Sequence, residues 1–475
     1  MRSIFRRLPP LILGVALAAG LGAGGLRPHP GLGKLRWVGL GGGSSPDSNQ
    51  LSIEQDLELA RAVLGEPVAL LYAGGAGTRA VQVRDPEVKG DPLVARLGHL
   101  FAPRGGRDAR YQPTSLKPSG PARADDLEEV LALELKREGT TTLYVAAHGE
   151  SSEAPADALI RLWGGWSVGV PDLAAVADAA PEAATLRLIL TSCYSGGFSE
   201  VLFREGDAAQ GPGPGALRCG LFATTWERQA SGCDPDPDRR VHEGYGIHFL
   251  HALKGEDREG KPLEPGLLDL DGDRRVSLLE AHTRVRLVSK TLDVPTTTSE
   301  RWLRQAAPER GPSKEVDLPE ERRVVKALEA SLGLDARAAS RKLEAARLQL
   351  QALELQAERA RQETDEAWWD LSGLLLSRWP VLDDPYHPAY PALLAEEREA
   401  ILKLLDTHPL SRAYQTKRAV ERGVDAKIDA LLLESAGWER LARAAENLEL
   451  AGRLAAAGGE DWEHFQRLRA CERGL

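Results

Sequence analysis

The sequence lacks an excess of basic residues. Its 475 residues include 60 Lys and Arg against 70 Asp and Glu, which gives a formal net charge of −10. Nucleic-acid-binding proteins usually present a basic face, so this composition argues against a nucleic-acid partner. Charged residues at 27% and hydrophobic residues at 42% are ordinary for a soluble globular protein. Because 475 residues exceed what one compact core holds, we expect two or three domains.

A phosphate-binding glycine motif is also missing. The stretch Gly39-Leu40-Gly41-Gly42-Gly43 follows a strand-like segment, but its spacing is not G-x-G-x-x-G. The chain has no P-loop Gly-Lys-Ser/Thr, and a polar loop up to Asn49 delays the helix that would bind a phosphate. We therefore expect no organic cofactor, and a nucleotide-binding or small-molecule-binding α/β protein is the weaker alternative.

A hydrophobic run long enough to span a bilayer is absent from the N-terminus. Three arginines within the first seven residues precede an apolar stretch from residue 8 to 21, and Ala16-Leu17-Ala18 offers a small-x-small cleavage site. This stretch is shorter than the roughly 20 residues that cross a membrane, which favours a cleaved signal peptide in residues 1–26. An uncleaved anchor stays open as the alternative. In both cases we expect export to the periplasm or the extracellular space.

Cysteine is scarce, with four residues in the chain. Thiols in an oxidising compartment tend to pair, and Cys219 and Cys233 bracket a predicted loop that a disulfide between them would close. The alternative is that all four cysteines are reduced and packed, since sequence alone does not fix connectivity. Cys471 lies in the C-terminal tail, and Cys193 should stay free if it is a nucleophile.

Two apolar, β-branched segments each end on a residue that is common in catalytic sites. The first segment, residues 140–147, is followed by His148, and the second, residues 186–192, is followed by Cys193. Both segments are predicted to be buried parallel strands. The reactive crevice of an open α/β sheet lies beyond the carboxyl ends of its strands, so neighbouring strands would bring these two side chains together. An imidazole can take the proton of a thiol, and the resulting thiolate is a strong nucleophile.

Other groups near the strand ends suit supporting roles. Glycine backbone can turn sharply and aim amides at an oxyanion, and we expect the amides of Gly149 and Cys193 to do so. Asn49, which follows the first predicted strand, is the candidate that orients the imidazole. The alternative for Asn49 is a helix cap or a turn.

These residues resemble the caspase and legumain type of cysteine peptidase, whose His lies about 50 residues upstream of its Cys. The resemblance is closer to legumain, in which the strand after the nucleophile runs into an Ala-Thr-Thr segment and a specificity loop. Residues 219–225, followed by 226–238, look similar. The resemblance implies a peptidase domain over residues 34–300, with a three-layer α/β sandwich around a mostly parallel sheet. It also implies an endopeptidase that cleaves peptide or protein substrates through Cys193 and His148.

The resemblance does not supply a residue preference. Legumain has an acidic residue directly after its nucleophile and caspases have Arg, whereas this chain has Tyr194. Acidic side chains in or near the loop would select Lys or Arg, or would simply form a solvated acidic loop. These acidic residues are Glu227, Asp234, Asp236, Asp238 and Glu243. The residues expected to contact the substrate are Thr191, Tyr194, Thr225, Trp226 and Glu227.

A second motif, at residues 269–280, has the spacing of an EF-hand calcium loop. Arg274 stands where the sharp turn normally requires Gly, which strains the backbone and adds a positive charge. We therefore expect weak, structural Ca²⁺ binding, and the alternative is an acidic turn followed by a capped helix. The predicted ligands are Asp269, Asp271, Asp273, the carbonyl of Arg275, Ser277 and Glu280.

Beyond residue 318 the composition shifts to Ala, Leu, Glu, Arg and Gln. Apolar residues between Ala336 and Ala360 fall on successive a and d positions of a heptad, which predicts a long helix with a coiled-coil-like seam. We expect an all-helical region over residues 318–475 that forms a helical hairpin or a self-association surface. The alternative function is an inactive caspase-like scaffold that binds proteins through these helices.

Overall fold

The computed structural model describes residues 35–84, 91–101, 109–385 and 387–474. The predicted signal peptide or anchor in residues 1–26 lies outside these residues. Within the described ranges, no helix combines the length and the hydrophobicity needed to cross a membrane. The strands are β1 (Trp37–Gly42), β2 (Ala69–Tyr72), β3 (Val81–Arg84), β4 (Ala109–Gln112), β5 (Gly139–Ala147), β6 (Gly149–Glu150), β7 (Leu159–Arg161), β8 (Ser167–Gly169), β9 (Ala184–Leu190), β10 (Leu217–Phe222) and β11 (Thr296–Thr297).

Helices flank the strands and then account for the regular structure of the C-terminal third. The helices are α1 (Leu51–Leu64), α2 (Pro92–Phe101), α3 (Ala124–Glu134), α4 (Val170–Asp178), α5 (Tyr245–Lys254), α6 (Leu278–Val288), α7 (Thr298–Ala306), α8 (Pro319–Leu332), α9 (Ala336–Arg378), α10 (Tyr390–Glu396), α11 (Arg398–Thr407), α12 (Pro409–Ala457) and α13 (Gly459–Arg473).

The main sheet has six strands in the order β11-β10-β9-β5-β1-β2, and only β11 runs antiparallel to its neighbour. Its central strands are buried and mostly apolar because helices cover both faces. One apolar cluster packs α1, α5 and α6 against the sheet, and the other packs α3 and α4. Each fully buried leucine, such as Leu143 or Leu188, contributes about 2 kcal/mol. The prediction of an α/β fold with a mostly parallel sheet is confirmed.

The C-terminal region is helical, as predicted. α9 and α12 are about 65 and 73 Å long at 1.5 Å per residue. They run antiparallel, since Ala339 near the start of α9 packs with Leu441, and Leu353 further along packs with Val424. The heptad seam is therefore filled by a helix of the same chain, which makes a hairpin. Self-association through these helices stays a prediction.

A disulfide ties the helical region to the sheet. Cys219 in β10 is bonded to Cys471 in α13, across 252 residues of sequence. Neither alternative from the sequence, a Cys219–Cys233 bond or four reduced cysteines, is found, because Cys219 is buried against α13 whereas Cys233 is a free thiol on an exposed loop. Arg187 in β9 reinforces the junction by donating to the carbonyl of Cys471 at 2.9 Å.

Candidate active site

His148 and Cys193 lie side by side at the carboxyl edge of the sheet. β5 and β9 are parallel neighbours with Val145 opposite Leu190, and each of the two residues is the third one after that pair. Adjacent strands are about 4.8 Å apart, so the strand register brings the two residues close together. Gly149 packs against the nucleophile so tightly that a Cβ there would lie 1.9 Å from the carbonyl oxygen of Cys193.

The imidazole of His148 is held through Nε2. This nitrogen lies 2.8 Å from Oε1 of Gln50 and 2.9 Å from the carbonyl oxygen of Ser48. A carbonyl oxygen can only accept, so Nε2 carries the hydrogen. Burial lowers the pKa of His148, with the Ser48 hydrogen bond acting in the opposite direction, which favours the neutral ring. In this tautomer Nδ1 has a free lone pair and can serve as the base.

Asn49 does not orient the imidazole, so that prediction is corrected. Its side chain is buried, where Oδ1 accepts from the amide of Gly43 and Nδ2 donates to the carbonyl of Ala80, both at 3.0 Å. Gln50, the next residue along the chain, contacts the histidine instead. Sequence reasoning selected the right segment and missed the residue one position further on.

The thiol of Cys193 is covered by residues 226–238, which we call the covering loop. The amide of Ala230 donates to Sγ at 3.3 Å, and Sγ donates to the carbonyl of Ala230 at 3.5 Å. Burial raises the pKa of the Cys193 thiol. The hydrogen bonds of Sγ within the described part of the chain go to Ala230 rather than to His148. Both the raised pKa and the hydrogen bond from Sγ to the carbonyl of Ala230 favour the protonated thiol in this arrangement.

The backbone after the nucleophile is strained. Tyr194 has a φ of +57°, a left-handed conformation that side-chain-bearing residues rarely adopt. Its amide donates to the carbonyl of Arg228 at 2.8 Å, which joins this turn to the covering loop. Strained backbone conformations are common at functional sites, where contacts with the surrounding structure stabilise them.

Helix α12 holds the covering loop in place. Nε of Arg228 donates to Glu439 at 2.9 Å, and its Nη2 donates to Ser435 at 3.1 Å. Both members of the ion pair are buried, so breaking it by removing one partner is costly. The position of the loop over Cys193 therefore depends on the helical region.

The buried carboxylate of Asp293 also binds the covering loop. Oδ1 of Asp293 accepts from the amide of Ser231 at 2.7 Å, while Oδ2 has no partner among the described residues. Burial raises the pKa of Asp293 to about 6, against the lowering effect of the Ser231 hydrogen bond. This loop anchor therefore titrates close to neutrality. Nothing in the sequence pattern singled out Asp293.

The predicted substrate-contacting residues lie in three different places. Thr191 donates its hydroxyl to the carbonyl of Val145 at 3.0 Å, so its side chain links two strands. Thr225, Trp226 and Glu227 line a cavity of about 360 Å³. Tyr194 forms the strained turn described above.

The other acidic residues of the loop do not form a pocket for Lys or Arg. Arg84 pairs with Asp234 and with Asp236, whose nearest oxygens lie at 3.6 and 3.3 Å. Asp238 pairs with Arg240, and Glu243 pairs with Arg258. Because arginines of this chain already neutralise these carboxylates, the alternative of a solvated acidic loop describes them better.

The calcium-loop motif has three converging carboxylates. One oxygen each of Asp269, Asp271 and Asp273 lies within 4.8 Å of the others. Arg274 has the left-handed φ of +65° that the missing glycine predicts. Glu280, however, accepts from the amides of Leu270 and Ser277.

Those two amides occupy the Glu280 oxygens that a calcium ion would need. Ser277 caps α6, and Arg275, two residues before it, donates its amide to Asp273 at 2.8 Å. The hydrogen bonds are therefore those of an acidic turn followed by a capped helix, and calcium binding stays a prediction.

Comparisons with known proteins supply no family. No family model matches the chain, and no curated protein matches it. Among solved structures, protein GSU0716 from Geobacter sulfurreducens matches with a TM-score of 0.30 and 11% sequence identity, over 55% of this chain and 92% of that one. A likeness at that TM-score supports no conclusion about fold or function.

Proposed function

We propose that the protein is an exported cysteine endopeptidase of the caspase and legumain type, with Cys193 as nucleophile and His148 as base. The observation that carries the proposal is the register of β5 and β9, which brings both residues to one edge of the sheet. The hydrogen bonds at Nε2 of His148 add support, because they leave Nδ1 free to accept a proton. Export rests on the N-terminal sequence.

The proposed reaction begins when the covering loop moves away from the thiol. Nδ1 of His148 takes the proton of Cys193, and the thiolate attacks the peptide carbonyl. The amides of Gly149 and Cys193 donate to the resulting oxyanion. The imidazolium then protonates the leaving amine, and water hydrolyses the thioester to release the acid and regenerate the thiol.

The second candidate is an inactive caspase-like scaffold that binds proteins through its helical region. The observation that favours it is the pair of hydrogen bonds between the backbone of Ala230 and Sγ of Cys193, which ties the thiol to a loop of the same chain. The two candidates differ in whether the covering loop opens. A peptide probe with a thiol-reactive group distinguishes them, since it labels Cys193 only when the dyad assembles.

The test of the peptidase is cleavage of a diverse peptide library, followed by mass spectrometry. Wild-type protein should cut at defined sites, while Cys193→Ala and His148→Ala should each lose activity because each removes half of a mutually dependent pair. Cys233→Ala is the matched control, because it removes the other free thiol of the described residues and leaves both members of the dyad in place. Full activity of Cys193→Ala, or no cleavage by folded wild-type protein with and without Ca²⁺, would reject the peptidase.

We also propose weak Ca²⁺ binding at residues 269–280, supported by the three converging aspartates. Binding requires Glu280 to release the amides of Leu270 and Ser277, which lowers affinity. Addition of Ca²⁺ should raise the thermal unfolding temperature of wild-type protein and not that of Asp271→Asn. Equal responses of the two proteins would identify the motif as a capped acidic turn.

A further inference from the structure

Helix α9 carries a second apolar seam, separate from the one that packs against α12. Its members are alternately three and four positions apart, which places them on one face of the helix. They are Ala345, Leu348, Ala352 and Leu355, which we call the outer seam, and all four are exposed. Leu348 and Leu355 are 62% and 64% exposed, so the described part of the chain leaves this face open to solvent.

The outer seam has the composition of the seam that α12 already fills. In the filled seam, Leu353 and Ala357 pack against Val424 of α12, which runs antiparallel to α9. The outer seam alternates alanine with leucine in a similar way. Small residues let two helices approach closely, and the leucines fill the space between them. The outer seam therefore fits another antiparallel helix.

Charged residues flank the outer seam at both ends. Arg341 and Glu344 precede it, and Glu358 and Arg359 follow it. All four side chains are exposed, and none has an ion-pair partner in the described part of the chain. Glu358 accepts a hydrogen bond from Gln362, which is uncharged. The charges at both ends are therefore available to a partner.

A second copy of this chain matches the apolar part of the seam. We consider two α9 helices that run antiparallel, with the two-fold axis midway between Ala345 and Leu355. Each Ala345 then lies opposite Leu355 of the other copy, and each Leu348 lies opposite Ala352 of the other copy. Every layer of this arrangement pairs one small with one large side chain, which is how helix seams pack without voids.

The same arrangement also matches the charges. Arg341 and Glu344 of one copy lie beside Glu358 and Arg359 of the other, so each end of the seam combines two positive with two negative side chains. The two-fold axis repeats this cluster at the opposite end. A parallel arrangement would instead bring Arg341 beside Arg341 and Glu344 beside Glu344, and like charges placed together oppose association.

We propose that the outer seam of α9 binds the outer seam of a second copy in the antiparallel orientation, so that the protein forms a two-fold symmetric homodimer. The apolar part of the seam has four residues in each copy, so the interface is small. Small interfaces are weak, and we expect dimerisation at micromolar concentrations. The covering loop is held by α12 rather than by this face of α9, so the dimer leaves those contacts in place.

The test measures the mass of the purified protein by sedimentation velocity over a range of concentrations. Wild-type protein should change from monomer to dimer as the concentration rises to about 100 µM. Leu348→Glu should weaken dimerisation by about tenfold or more, because the two-fold axis places two carboxylates on the apolar seam. Leu433→Glu is the matched control, because Leu433 is an exposed leucine of α12 that lies outside the outer seam. Both leucines are exposed, so both variants should fold, which circular dichroism checks.

Exchange of charges tests the orientation of the two helices. Arg359→Glu leaves three negative charges and one positive charge at each end of the seam, and Glu344→Arg leaves the reverse. Each single variant should weaken dimerisation, whereas the double variant has two charges of each sign again and should recover most of the affinity. In a parallel dimer, positions 344 and 359 lie about 22 Å apart, so no recovery would occur.

Three results would overturn the proposal. The first is a folded wild-type protein that stays monomeric at about 100 µM. The second is a dimer that Leu348→Glu leaves intact, because its contacts would lie elsewhere. The third is a dimer that the single charge variants leave unchanged or that the double variant fails to restore. The mass is measured without a substrate, so these outcomes do not depend on whether the protein cleaves peptides.

Discussion

Removal of the Cys219–Cys471 disulfide should destabilise the whole chain. The bond closes a loop of 252 residues, and the chain-entropy model for a loop of this length gives about 5 kcal/mol. Most of this effect comes from the unfolded chain, which loses conformational freedom when it is cross-linked. Contacts around the bond remain without it, including the hydrogen bond from Arg187 to the carbonyl of Cys471. Cys471→Ala should therefore still fold, but with a much lower unfolding midpoint.

The assay is urea unfolding of Cys471→Ala beside the wild-type protein, followed by tryptophan fluorescence. Cys233→Ala is the control and should unfold with the wild-type midpoint, because Cys233 is an exposed free thiol. A reducing agent should lower the wild-type midpoint to that of Cys471→Ala and leave the variant unchanged. Equal midpoints for the two cysteine variants, or peptide mapping that shows a Cys219–Cys233 bond, would refute the reasoning.

Three other predictions concern the active site. Gly149→Ala should reduce peptide cleavage about a hundredfold, because a Cβ 1.9 Å from the carbonyl oxygen of Cys193 must push the two strand ends apart. Arg228→Ala should speed alkylation of Cys193 by iodoacetamide about tenfold or more, since it breaks the buried ion pair that holds the covering loop closed. The pKa of Asp293 is about 6 in the folded protein, against an ordinary value of 3.8. The folded state therefore binds this proton more tightly than the unfolded state does. As a result, the free energy of unfolding falls as the pH rises from the ordinary pKa through the folded pKa. Asp293→Asn should therefore raise stability at neutral pH by about 3 kcal/mol and flatten its pH dependence, as measured by denaturant unfolding.

Two of these predictions have control variants elsewhere in the chain, and each of the three has an outcome that would contradict it. Gly77→Ala is the control for Gly149→Ala, because a Cβ at Gly77 meets nothing within 4 Å. Arg240→Ala removes an exposed arginine just beyond the covering loop and should leave alkylation unchanged. Full activity of Gly149→Ala would contradict the first prediction, and an unchanged alkylation rate in Arg228→Ala would contradict the second. A pH profile of stability for Asp293→Asn that runs parallel to that of the wild-type protein would contradict the third.

Much of the candidate site could be predicted because it depends on local patterns. A β-branched apolar run that ends in a polar residue specifies a buried strand and the edge to which it delivers that residue. This reasoning was sufficient for His148 and Cys193. It was insufficient for the imidazole partner, because the choice between Asn49 and Gln50 depends on which way each side chain points once the chain leaves β1.

The contacts between distant segments could not be predicted in this way. Cys219 pairs with Cys471, and Arg228 pairs with Glu439, across more than two hundred residues in each case. No periodicity links such positions, since they meet only when the helical region docks on the sheet. The same is true of Arg443, which reaches the cavity from α12.

Local sequence patterns were enough to predict the parallel strands, the long amphipathic helix α9 and the edge of the sheet where His148 and Cys193 lie. These features follow from hydrophobic periodicity and chain direction, which act over a few residues at a time. Three other features emerge only in the folded protein: a loop contacts the thiol, a disulfide joins the two parts, and helices complete a cavity beside the nucleophile. Those outcomes depend on how preformed elements pack, because burial and ion pairing join residues that are close in space and far apart along the chain.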